Sequence, residues 1–297
     1  MATQMQKQGL PYGIGRFGMK WWAIAAVLLG VIAAGAYAYS RQIVEGEIVT
    51  GLRDVGTRGG APWGLYIAFE MWAVGIGFGA MMLLGVIEIG RLSHMRPVAR
   101  ALGIAGMATL FVGGWSIIAD VGQPVRAIVN IIRYARPMSP FFGTFTIGLV
   151  AAFATMLVYL FLDGRPDAAR LAPTAGRWRP LLRLLAAGYS DSEPERQRRK
   201  QTATVLGVGL LVVGVVAAST SGFVFGIQQG RPGWVSAVQA PASVTFALAT
   251  GAASAILLAV ILKAALKEEK RFDERLFSWL SNIMTAVALV AAYFVLV

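Results

Sequence analysis

Seven apolar stretches, at residues 21–39, 63–89, 101–118, 141–162, 204–227, 241–262 and 276–297, constrain this chain more than any other feature. Each is close to the roughly 20 residues that a helix needs to cross a bilayer core. Backbone N–H and C=O groups cannot be left unpaired in hydrocarbon, so such stretches cross as helices. Charged residues make up 14% of the 297 residues, against about 25% in a soluble domain. That is too little charge to coat a globular surface. The first stretch follows Lys7, Arg16 and Lys20 and contains Ala36-Tyr37-Ala38, features shared with a cleaved signal. Its apolar run and its lead-in are both long for a signal, so a retained helix is expected. The expected fold is an all-α integral membrane protein with at least seven transmembrane helices.

The net charge of +12 is explained by where the basic residues lie. Of 27 Lys and Arg, 20 fall in the N-terminal tail and in residues 91–100, 163–201 and 263–275. The other 7 fall in residues 41–58 and 126–136 and at Arg231. Alternate connections thus differ in charge, and the positive-inside rule puts the N-terminus in the cytoplasm. The expected location is the cytoplasmic (inner) membrane of a bacterium, with multiple passes. Nucleic acid is not needed to account for the basic excess. The run Arg196, Arg198, Arg199 and Lys200 reads as a juxtamembrane anchor on anionic headgroups.

Composition also excludes chemistry. With no cysteine there is no disulfide, cysteine-ligated cluster or thiolate catalysis. A single histidine, His94, excludes a haem with two axial histidines and a multi-histidine metal site; it reads as an interfacial residue of a basic turn. Neither a P-loop nor a hydrolase triad is present. Carboxylates inside the apolar stretches are the remaining candidates. Glu70, about eight residues inside the second stretch, is a functional hypothesis because an unpaired charge there is costly. The alternative is a structural carboxyl. Tyr66 at i−4 and Gly77 at i+7 share its face. Glu88 returns to that face five turns on and can instead pair with Arg91 at i+3. Asp120 closes the third stretch, followed by Gln123, Arg126, Asn130 and Arg133; it is either functional or an interfacial carboxylate that ties down the turn. Gly75-x-x-x-Gly79 reads as a packing face. Small-residue-proline pairs at Ala61-Pro62, Ser139-Pro140 and Ala240-Pro241 suit helix starts. Gly77-x-x-Ala80 and Gly251-x-x-Ser254 hint at a parallel repeat.

These residues together resemble a family. Residues 62–80 open with Pro62-Trp63-Gly64 and close with Gly75-x-x-x-Gly79-Ala80, similar to the first helix of the NrfD-like polysulfide reductase membrane subunits. Residues 120–126 resemble that family's Asp-Leu-Gly-Arg-Pro element, with Gln123 in place of its arginine. Ser139-Pro140 followed by Gly143 resembles its Ser-Pro-x-x-Gly helix start, with Phe142 where tryptophan is common. The three elements occur in the family's order over residues 62–143.

The resemblance implies a four-helix bundle formed by the second to fifth spans plus part of a second, similar bundle. Residues 1–60 would form a tail, an extra span and an outer loop. Residues 61–230 would form the first bundle with its basic cytoplasmic loop at 163–201, and residues 231–297 the start of the second, whose further helices would follow Val297. It implies a quinol:acceptor oxidoreductase membrane subunit, with quinone or menaquinone as substrate and no haem or cluster in this chain. Its partners would be a ferredoxin-like iron–sulfur subunit and a molybdopterin or multihaem cytochrome c subunit. The quinone contacts would be Tyr66, Glu70, Gly77, Gln123 and Arg126, with Glu70 and Asp120 as the catalytic proton carriers. A carboxylate shielded from water holds a proton more readily, which suits the first acceptor. A secondary transporter and a non-catalytic membrane anchor remain as alternatives.

Overall fold

A computed structural model describes residues 18–50, 63–122, 124–134, 136–227, 235–266 and 271–296. Gln123, Arg231 and the Ala61-Pro62 pair lie outside the described residues. The described residues are almost entirely helical and contain no strand. The helices are α1 (Met19–Glu45), α2 (Leu65–Ile89), α3 (Arg96–Asp120), α4 (Pro124–Tyr134), α5 (Thr146–Leu171), α6 (Arg179–Ala186), α7 (Glu193–Gly226), α8 (Gln239–Leu266) and α9 (Glu274–Leu296). Seven of them, all but α4 and α6, are long and apolar enough to cross a membrane. This is an all-α, multi-pass membrane protein.

Each apolar stretch coincides with a helix to within a few residues, the 141–162 stretch starting in the π-helical turn Pro140–Phe145 that leads into α5, and several helices outrun their stretch. α7 begins at Glu193, eleven residues before its apolar part, because Glu, Gln, Arg and Lys are good helix formers once water can solvate them. α5 likewise continues through Pro166 to Leu171. Residues 163–201, expected as a loop, are therefore mostly helical.

The described residues within 50–160 and 201–297 form one compact unit. Its core is built around α2, whose residues Phe78, Met81, Met82 and Leu84 are fully buried. α3 packs on one face of α2 and α8 on another. Glycine permits both approaches. A Cβ at Gly79 would overlap the Ala247 carbonyl, and the Gly251 Cα lies 2.9 Å from that position. A Cβ at Gly85 would come within 2.7 Å of the Gly207 carbonyl oxygen on α7. The Gly75-x-x-x-Gly79 face is thus a helix-packing face, as its spacing predicts.

The described residues within 1–49 and 161–200 form the second unit. It holds α1, whose apolar side chains are mostly exposed, and the connection between α5 and α7. That connection is laced by ion pairs. Arg199 Nη2 lies 3.1 Å from Asp163, Arg170 Nη2 3.3 Å from Asp191 and Arg196 Nη2 2.9 Å from Glu193. Arg196 and Arg199, expected to face lipid headgroups, also pair with carboxylates of their own segment while staying about half exposed.

Candidate functional site

α2 carries its two carboxylates near opposite ends. Glu88 is 2% exposed and fully satisfied. Arg96 Nη2 donates to its Oε2 at 2.7 Å, and the Tyr159 hydroxyl donates to its Oε1 at 3.1 Å. Its partner is therefore Arg96 on α3 and not Arg91, whose backbone turns to φ 49° just past the helix end. This arrangement ties α2, α3 and α5 together and gives each Glu88 oxygen a donor.

Glu70 is equally buried, at 2% exposure, but lacks such partners. Its Oε1 is shielded and has no hydrogen-bond partner among the described residues. α2 begins at Leu65, so Glu70 lies five residues in, about 8 Å below the helix start, not about 12 Å as the apolar stretch suggested. A buried polar atom left unsatisfied costs about 1–3 kcal/mol. Such an atom invites an explanation beyond packing.

The α2–α3 seam fixes what lies level with it. A Cβ on Gly103 would touch Leu84, one on Gly106 would touch Ala80, and one on Gly113 would touch Val74 and Ala73. Each turn down α3 thus meets a turn up α2. Continued outward, this antiparallel pairing sets Glu70 level with Ser116 and Tyr66 level with Asp120. Ser116 and Asp120 are buried, at 7% and 6% exposure, and Tyr66 is half-buried. The Ser116 hydroxyl donates to the Val112 carbonyl at 2.9 Å, which leaves its oxygen lone pairs available. Ser116 was not a sequence candidate, although its place one turn before Asp120 would have found it.

Gly77 sits on the same seam, where a Cβ would run into the Leu110 side chain and come within 3.1 Å of the Gly106 carbonyl oxygen. In this structure Gly77 brings the two helices together. Arg126 is exposed on α4, outside the seam. α4 was expected as loop. Its Val125, Ile128, Val129 and Ile132 follow i, i+3, i+4, i+7 spacing, and all four are exposed. They form an apolar stripe beside Arg126 and Arg133.

Two apolar grooves flank this end. One, of about 240 Å³, is lined by Trp72, Gly75 and Phe78 of α2, Ser221 of α7, and Phe246 and Thr250 of α8. It runs along α2 from Met71 to Phe78, deeper than Glu70, and Glu70 does not line it. The other, of about 290 Å³, lies between α5 and α7 beside the π-helical turn Pro140–Phe145. At the opposite end, His94, in the turn between α2 and α3, is half-buried and packs edge-on to Trp279 with ring centroids 6.4 Å apart.

Comparison with known proteins bears on what this constellation serves. A model of the family described as "Polysulphide reductase, NrfD" matches residues 54–297. A Halobacterium salinarum protein named as a dimethyl sulfoxide reductase membrane subunit is 29% identical over 248 residues, 83% of this chain and 52% of that protein. A Mesobacillus selenatarsenatis protein named as a selenate reductase subunit is 22% identical over 238 residues, 78% of this chain and 54% of that protein. The chain spans about half the length of these curated relatives.

Proposed function

Because the chain belongs to the NrfD polysulphide reductase family, we propose that it is the membrane subunit of a respiratory oxidoreductase complex. It binds a quinone or quinol near the outer surface and exchanges electrons with an iron–sulfur partner subunit. The names of its relatives, a dimethyl sulfoxide reductase membrane subunit and a selenate reductase subunit, support a place in such a complex. Residues 61–230 serve as the first bundle and 231–297 as the start of a second.

The observation that carries the reading is the unsatisfied buried oxygen of Glu70. A quinol loses two electrons and two hydroxyl protons when it becomes a quinone. Glu70 accepts the two protons in turn, Tyr66 positions the head group, and Asp120 passes each proton to the outer water. In the reducing direction the same groups deliver them. Gly77 supplies the close α2–α3 approach that keeps the seam dry. The sequence offers no cysteine and only one histidine, so the electrons pass from quinol directly to a cofactor of the partner. The partner docks where Arg126, Arg133 and the α4 stripe are exposed, next to Asp120. Its cofactors, and a molybdopterin or multihaem cytochrome c subunit beyond it, belong to other chains.

Glu70→Gln keeps the shape of the side chain and removes its ability to take up a proton. In the assembled complex it should slow quinol oxidation by about 10²–10⁴, the usual cost of losing a general base, while leaving quinol affinity in place. Wild-type turnover in this variant returns Glu70 to a structural role.

A further inference from the structure

The connection between α5 and α7 contains a surface that the electron-transfer reading leaves without a task. Trp178 and Leu181, Leu184 and Leu185 of α6 follow helical spacing and form one stripe. All four are exposed, Leu184 to 74%. Arg179 and Arg183 occupy the other side of the same short helix, while Ala186 is buried against the segment. The helix does not dangle. Arg165 of α5 donates from Nε to the Ala186 carbonyl at 3.2 Å and from Nη2 to the Ala187 carbonyl at 3.0 Å. The same guanidinium lies 3.5 Å from Glu195 of α7. α6 is thus clasped to the ends of two membrane-spanning helices.

Charge decides what this surface meets. Asp163, Asp191, Glu193 and Glu195 are taken by Arg199, Arg170, Arg196 and Arg165. Arg179 and Arg183 have no carboxylate partner among the described residues. A helix with Trp and Leu on one side and unpaired arginines on the other suits the plane of a bilayer interface. We propose that α6 lies in the headgroup layer as an anionic-lipid binding element. Its Trp178–Leu184 stripe enters the acyl boundary, and Arg179 and Arg183 hold phosphate groups of phospholipids such as phosphatidylglycerol. A protein partner is disfavoured because Arg165 holds the helix at the ends of α5 and α7, where the bilayer already supplies a surface of matching chemistry.

The chain has no cysteine, so a single nitroxide at Leu184→Cys reports this position alone. The full chain is placed in nanodiscs of phosphatidylcholine, with and without phosphatidylglycerol. The expected label is accessible to oxygen and shielded from a water-soluble nickel chelate. Native mass spectrometry of the same chain should show retained phosphatidylglycerol. Arg179→Gln and Arg183→Gln should each lower that retention about fivefold, the worth of one basic residue at a charged membrane surface. A label open to the nickel chelate in both lipid mixtures overturns the proposal. So does unchanged lipid retention in the arginine variants, or shielding that arises only when a protein partner is added.

Discussion

Glu70 and Glu88 stand on one helix, equally buried, with opposite surroundings. The Glu88 carboxylate is held by a guanidinium and a phenol, so removing either partner should be felt as lost stability. Tyr159→Phe takes away one hydrogen bond to a charged group, worth about 1.5–3 kcal/mol. Arg96→Ala leaves the carboxylate uncompensated and should cost about 3–5 kcal/mol. Equilibrium unfolding of the purified chain measures both, and quinol turnover of the folded Tyr159→Phe complex should stay near wild type. At the other end, Asp120→Asn should slow turnover less than Glu70→Gln, because water near the outer surface can relay the proton in its place; equal losses would move Asp120 to the head group itself. The burial of Glu70 was legible in the sequence, since a carboxylate flanked by apolar residues on a spanning helix has few exposed places to go. The partner of Glu88 was not. Tyr159 is 71 positions away, and Arg96 competes with the nearer Arg91 on grounds that only the turn at residues 90–95 settles.

At the scale of elements, the spanning helices were readable because their apolar runs match bilayer thickness. α4 and α6 escaped because eleven and eight residues are too short to span, and their charges made the segments read as loops. The signal was nonetheless present in the i, i+3, i+4, i+7 spacing of Val125, Ile128, Val129 and Ile132. Glycine contacts were legible as a motif but not as a pairing, since spacing alone cannot say whether Gly79 meets α3, α7 or α8. The structure makes that choice testable. Gly79→Val should collapse the yield of folded protein, because its side chain would overlap the Ala247 backbone. Gly30→Ala on α1, where a Cβ meets nothing within 4 Å, should leave yield unchanged. Size-exclusion profiles of the two variants in detergent compare them directly.

For the whole molecule, the alternation of basic connections predicts that residues 163–201 and 235–238 lie on opposite sides of the membrane. Cysteines at Ser192 and Ser236 should then differ in intact cells, with only Ser236→Cys reached by an impermeant reagent. Labelling of Ser192→Cys alone would reverse the predicted orientation and with it the side proposed for partner docking. The close seat of α8 on α2 has a further consequence for how such chains can diverge. Every coded residue other than glycine carries a Cβ, so neither Gly79 nor Gly251 has a neutral neighbour in sequence space. A lineage can replace one of them only by first spreading two helices apart, and the groove between Trp72, Phe246 and Thr250 would widen in the same event. A side chain at position 79 is therefore a marker, readable from a gene alone, that a relative has reshaped that groove.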